Sequence, residues 1–162
     1  MKKKKEKFFF FRIDNVVLFK TQLKLAAPFI TTTKDALDVS TQPDTMVNVA
    51  FSQSGLTRLN VTDDLGDAGF SAGQFADADA LGDPGTTNWV TAFKGTNIHG
   101  VFLLASDSTT LVDTQWLTVK TLLGLSITEL YTLTGSARPG SQEGHERTFL
   151  VITLIYYFLF SC

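Results

Sequence analysis

The sequence predicts an α+β domain with elements in the order β-α-β-β-α-β, its strands forming one antiparallel sheet and its two longer helices covering the same face. Three observations carry this. Phe8 to Phe11 are consecutive aromatics inside Lys7 to Ile13, a run that suits one strand buried on both faces. Val112, Trp116, Val119 and Leu123 recur at helical spacing and stop at Gly124. Between the two halves, Val61 to Asn97 is too heavily punctuated by Asp and Gly to hold a long element.

Taken in order, the first strand covers residues 7 to 13, with Phe8 and Phe10 on one face and Phe9 and Phe11 on the other. Asp14 or Asn15 caps a helix near 15 to 27, in which Val16, Phe19, Leu23 and Ala26 form the core stripe until Pro28 ends it. Thr31 to Thr45 reads as a polar connection, Met46 to Phe51 as a second buried strand, and Ser54 to Leu59 as a short helix. In the punctuated stretch, Phe70, Phe75, Leu81, Trp89 and Phe93 supply apolar anchors, so an ordered irregular segment with short helical turns is expected. Ile98 to Ala105 is the third strand, and Ser106, Asp107 and Ser108 are candidate caps for a helix from 108 to 123. Gly124 is expected in a left-handed conformation, and Leu125 to Thr134 is the last strand. Right-handed crossovers leave the ferredoxin-like arrangement as the expected topology for residues 7 to 134.

At 162 residues, with 44% hydrophobic and 19% charged side chains, the chain has the composition of one globular domain with a real core. Fourteen Lys and Arg against 16 Asp and Glu, a net charge of -2, exclude a general nucleic-acid surface. Lys2 to Lys5 followed by Phe8 to Phe11 imitates a signal peptide, but Arg12 and Asp14 interrupt the apolar stretch. No cleavable signal is expected, and the chain as written reads as cytoplasmic. Cys162 is the single cysteine, which excludes an internal disulfide and a CxxC metal site.

No motif in this chain assigns a catalytic, cofactor-binding or metal-binding residue. Asp77, Asp79 and Gly82 fit positions 1, 3 and 6 of a calcium loop, but Leu81 and Asn88 stand where further ligands are required. Caps and turns are the expected role of these aspartates and glycines. His99 opens an apolar strand and His145 sits in Gly144-His145-Glu146; neither has a partner at ligand spacing, and a hydrogen-bonded structural role is expected for His99. Gly135 to Gly140 has Ser141 where a phosphate loop needs Lys. Asn60-Val61-Thr62 is a glycosylation sequon, meaningful only on the secretory route.

The final block, Phe149 to Phe160, is apolar or aromatic except for Thr153. Even from Thr148 the chain ends after 15 residues, short of the ~17 a membrane span needs. An uncharged, proline-free run of this kind promotes aggregation when exposed.

Val61-Thr-Asp-Asp-Leu-Gly-Asp-Ala68, Gly73-Gln-Phe-Ala-Asp-Ala78, Ile98-His-Gly-Val-Phe-Leu103, Gly135-Ser-Ala-Arg-Pro-Gly140 and Gly144-His-Glu146 together resemble the fungal-type dye-decolorising haem peroxidases. Lys2 to Phe11 resembles that family's first core strand, so the resemblance covers about residues 2 to 146. It implies two ferredoxin-like halves with haem b held by the second, peroxide and small aromatic molecules as substrates, and a secreted or cytosolic setting. In the family the Gly-His-Glu run leads into a Gly-x-x-Asp-Gly motif whose aspartate is the distal acid/base. Here the resemblance breaks at Arg147, and no part of the chain corresponds to the half with the axial histidine and distal arginine. His145 therefore carries over proximity to haem in the parent and no catalytic role.

The expected division is an N-terminal ferredoxin-like domain over 1–146 and an unrelated apolar tail over 147–162, in a chain shortened at both ends. The tail's residue types are largely those of thymine-rich codons, as translation through a non-coding stretch or a shifted frame would produce; a real, short isoform is the alternative. The expectation for this polypeptide is a peroxidase family member that binds no haem and is inactive as written. The alternatives are a non-catalytic association module or a short membrane-adherent fragment. Self-association is expected, no nucleic-acid partner is, and any membrane contact would come through the tail.

Overall fold

The computed structural model describes residues 5–37, 40, 42–63 and 65–136. Strand β1 (Lys5–Ile13) leads through Asn15, whose side chain accepts from the Leu18 amide, into helix α1 (Val16–Ala26). A short helix α2 (Thr33–Leu37) precedes β2 (Thr45–Phe51), and α3 (Gln53–Arg58) follows at once, capped by Ser52. The irregular segment contains α4 (Ala68–Ala72), capped by Asp67, and single 3-10 turns at Thr86–Asn88 and Thr91–Phe93. Then come β3 (Gly100–Ser106), α5 (Thr109–Leu123), capped by Ser108, and β4 (Ile127–Ser136).

The four strands form one sheet in the order β2-β3-β1-β4, with every neighbouring pair antiparallel. This is the predicted ferredoxin-like topology. Both long helices lie on one face. Phe9, Phe11 and Ile13 of β1 share a core cluster with Phe19 and Ala26 of α1 and with Val112, Trp116, Val119 and Leu123 of α5. The alternate residues, Phe8 and Phe10, form a second cluster on the opposite face with Val101, and Phe93 and Ile98 of the irregular segment pack against it. The double-sided strand read from the sequence is thus covered by helices on one side and, in part, by irregular chain on the other.

Several boundaries move, each for a local reason. β1 begins at Lys5 rather than residue 7 because both of its partner strands extend to meet it, at Ser106 and Ser136. β2 starts one residue before Met46, with Thr45 opposite Ser106. β3 begins at Gly100, not Ile98: the Ile98 carbonyl accepts from the Ser52 and Ser54 hydroxyls, and the His99 ring takes the Ile13 amide proton. β4 begins at Ile127, not Leu125, because Gly124–Ser126 form a 3-10 turn in which Ser126 Oγ donates to the Leu123 carbonyl and Leu125 is 90% exposed. The polar connection before β2 holds α2, started by a reciprocal cap in which Asp35 accepts from the Thr32 amide while Thr32 Oγ1 accepts from the Asp35 amide. Gly124 has the expected positive φ, 50°, but its ψ of -130° lies outside the left-handed helical region, so the chain turns sharply instead of unwinding.

One feature of register has no counterpart in the sequence pattern. Phe10 faces Tyr131, yet Phe11 faces Glu129, so Leu130 is an extra residue in β4. Glu129 therefore meets α5, accepting from Trp116 Nε1 and Lys120 Nζ, while Tyr131 lies on the other face against Phe10 and Phe93.

Candidate functional site

Two places collect chemistry-bearing side chains. The first is the end of the sheet where β1 leads into α1. His99 Nδ1 accepts from the Ile13 amide at 2.9 Å, and the Arg58 guanidinium donates to the Asp14 carbonyl at 3.1 Å. Arg12 Nε lies 2.8 Å from one oxygen of the Asp14 carboxylate, and the Thr128 hydroxyl donates to the other. The Thr128 hydroxyl holds the Asp14 carboxyl below its ordinary value; burial opposes it, and the bond and charge of Arg12 add to the lowering. Burial, followed by the charges of Arg58 and Arg12, presses the His99 pKa down; Asp14 opposes this. With Nδ1 engaged as an acceptor, neutral His99 carries its proton on Nε2. The structural role expected for this histidine is what the geometry provides.

The second is a cleft of about 480 Å³ between the second face of the sheet and the irregular segment. Phe10, Phe70, Phe75 and Phe93 wall it, and Gln74 and Asp77 line its irregular side. Phe93 meets Phe10 edge to face at 4.9 Å, and Phe75 meets Trp89 likewise at 5.8 Å. Trp89 is anchored in turn by its Nε1, which donates to Asp83 at 3.1 Å. Gln74 Oε1 is buried and has no hydrogen-bond partner among the described residues.

The punctuating aspartates act as caps and turns where their bonds are seen. Asp67 accepts from the Phe70 amide and Asp83 from the Gly85 amide and Trp89. Among the described residues no three His, Cys, Asp or Glu side chains are grouped to hold a metal ion. Asn60 is exposed, with a φ of 58°, at the turn that ends α3. His145, the Gly135 to Gly140 run beyond Ser136, and the apolar tail lie outside the described residues. Sequence reasoning did not single out Gln74 or the cleft. Phe70, Phe75 and Phe93 were legible as anchors, but nothing local says that they converge on the same side of Phe10.

The order of strands, the two-sided use of β1 and the irregular segment laid on the second face can be compared with known proteins. The DyP dimeric alpha+beta barrel domain matches residues 1–139. The chain belongs to the DyP-type peroxidase family. Peroxidase 2 of Mycetinis scorodonius is 55% identical over 148 residues, and the dye-decolorizing peroxidase of Mycena epipterygia 51% over 147. Each match covers 90% of this chain but only 29% and 28% of the relative. Among solved structures, a dye-decolorizing peroxidase in complex with 2,6-dimethoxyphenol superimposes with a TM-score of 0.83 at 49% identity, over 90% of this chain and 33% of that one. The decolorizing peroxidase of Auricularia auricula-judae gives 0.82 at 44%, over 88% and 32%. The chain thus spans less than a third of the curated DyP-type relatives it matches.

The DyP-type relatives are haem enzymes, and the described residues do not fit the group's axial ligand. A histidine ligates iron through a nitrogen lone pair. For His99 to offer Nε2, the proton would have to move to Nδ1, where it would face the Ile13 N–H, donor against donor. The described part of the chain supplies a scaffold.

Proposed function

We propose that this chain is the N-terminal portion of a haem-dependent DyP-type peroxidase, in whose whole form hydrogen peroxide oxidises dyes and phenols, and that alone it does not turn over. The observation that carries the reading is the asymmetry of coverage: 90% of this chain matches relatives named as peroxidases, of which the match spans only 29% and 28%. Haem peroxidase chemistry requires an axial ligand, a distal proton acceptor and a group that polarises the peroxide. In this reading all three come from outside residues 1–162. Residues 1–146 are the domain and 147–162 a tail of different origin.

The test is titration of the purified chain with haem, read by the Soret band, with peroxide turnover measured beside it. Expected is weak, non-saturating absorbance and turnover no higher than free haem. A saturable one-to-one complex lost in His145→Ala would overturn the reading.

A second reading, a non-catalytic association module, is favoured by the second face of the sheet. There Ala50, Leu103, Tyr131 and Leu133 stay partly exposed around Phe8 and Phe10. Sedimentation of residues 1–146 tests it: a reversible dimer weakened by Leu103→Lys supports it, and a monomer at all concentrations removes it.

A further inference from the structure

We propose that the cleft beside Phe10 is a binding site for an organic ammonium ion carried on an aromatic body. It goes beyond the peroxidase reading and stands on the composition of the cleft walls. Four phenylalanine rings, Phe10, Phe70, Phe75 and Phe93, border a space of about 480 Å³, within the size range of small-molecule sites. The lining polar groups divide sharply. The Ser52 and Ser54 hydroxyls are committed as donors to the Ile98 carbonyl. Gln74 Oε1 is a buried acceptor without a partner among the described residues, and Asp77 lines the same cleft. Among the described residues Asp77 is the one charged side chain in the lining, and no Lys, Arg or His borders the cleft.

The space therefore holds an unmatched acceptor and a negative charge with no cation among its described lining residues. An ammonium group answers both, with N–H bonds to Gln74 Oε1 and Asp77, and ring faces attract cations as well as aromatic bodies. A buried acceptor left unmatched is costly, and a ligand that donates to it removes that cost. A carboxylate on the same body would meet Asp77 with like charge and leave Gln74 unmatched.

The test is fluorescence anisotropy of naphthyl probes at low micromolar protein near neutral pH, with the full chain and, beside it, residues 1–146, which hold every lining residue of the cleft. The probes are 2-(1-naphthyl)ethylammonium, 2-(1-naphthyl)ethanol and 1-naphthylacetate. Expected is saturable binding of the ammonium, about tenfold weaker binding of the alcohol, and weaker binding still of the acetate. Asp77→Asn should bring the ammonium down to the level of the alcohol while leaving the alcohol unchanged. Gln74→Leu should weaken both donors, and Leu81→Trp should fill the cleft and abolish all binding. Equal binding of ammonium and acetate, preference for the alcohol, or binding indifferent to Asp77→Asn and Leu81→Trp would each overturn the proposal, the last by showing adsorption to apolar surface elsewhere. None of these readouts uses haem or peroxide, so failure here leaves the peroxidase reading standing, and failure of the haem titration leaves this one standing.

Discussion

The ring of Phe11 lies over Gly100, its cross-strand neighbour in the β1–β3 ladder. A Cβ at position 100 would stand 2.6 Å from Phe11 Cζ and 2.7 Å from the Ala50 carbonyl oxygen on β2. Glycine here makes room for the aromatic side chain that joins α1 to the sheet, since Phe11 also meets Phe19 and Phe51.

Gly100→Ala should therefore destabilise by roughly 3 kcal/mol, at the upper end for overpacking, because one of the two obstructions is backbone and cannot rotate away. Chemical denaturation measures this. Adding Phe11→Leu to Gly100→Ala should recover only part of the loss, since the Ala50 carbonyl stays in place.

Gly55→Ala is expected to be worse. The Cβ would overlap the His99 carbonyl oxygen, which also accepts from the Ser52 amide. α3 would have to leave the sheet end, taking the Ser52 and Ser54 bonds to Ile98 with it. A thermal melt should show the variant unfolded or lowered by more than Gly100→Ala; a melt within a degree of the parent would refute the close approach.

Trp116 stacks on Phe9 at 4.2 Å with an interplanar angle of 11° and donates to Glu129. Trp116→Ala should cost about 3 to 5 kcal/mol and Trp116→Phe distinctly less. Burial alone would raise the Glu129 pKa, but bonds from Lys120, Thr132 and Trp116 outweigh it and lower the value below its ordinary 4.5. The stability Glu129 contributes is thus present above pH ~4.5 and lost as pH falls through its lowered folded value. Denaturation curves of Glu129→Gln between pH 3 and 7 should show a shallower acid slope than the parent.

His99 titrates with the same sign. Its folded pKa lies below the ordinary 6.5, so the unfolded chain takes up the proton first. Stability should be full above pH ~6.5 and decline as pH falls toward the folded value, where the proton displaces the Ile13 N–H from Nδ1. His99→Asn, with an amide oxygen for Nδ1, should keep the bond and flatten this part of the profile. His99→Leu should cost about 1 to 3 kcal/mol at neutral pH by leaving the Ile13 amide unmatched. A His99→Asn profile as steep as the parent's would assign the pH dependence to another group.

On the proposed reading of residues 147–162 as a tail of different origin, the full chain should sediment or scatter light where residues 1–146 stay in solution, because Phe149 to Phe160 adds about a dozen apolar side chains, each worth roughly 1.5 to 3 kcal/mol when covered. Equal solubility and a monomeric profile for both would mean that the tail is a properly packed element.

Local rules in the sequence alone determined much of this protein. Helical spacing marked Val112, Trp116, Val119 and Leu123, all of which are buried, and Asn15 and Ser108 sit at their caps because short polar side chains satisfy the first free amides of a helix. The order of elements and the handedness of crossovers then left the ferredoxin-like sheet, and several short runs, Val61 to Ala68 and Ile98 to Leu103 among them, pointed by resemblance to the DyP-type family. Tertiary structure decided what depends on meetings between distant residues. Alternation along β4 would place Glu129 and Tyr131 on one face, but the extra Leu130 separates them, and a bulge is a property of two strands in register rather than of either alone. The strand limit at Gly100 was set by where the Ser52 hydroxyl and the His99 ring find partners. The cleft, likewise, exists only because an irregular segment without periodicity is laid across Phe10, leaving Gln74 Oε1 buried where no sequence rule could place it.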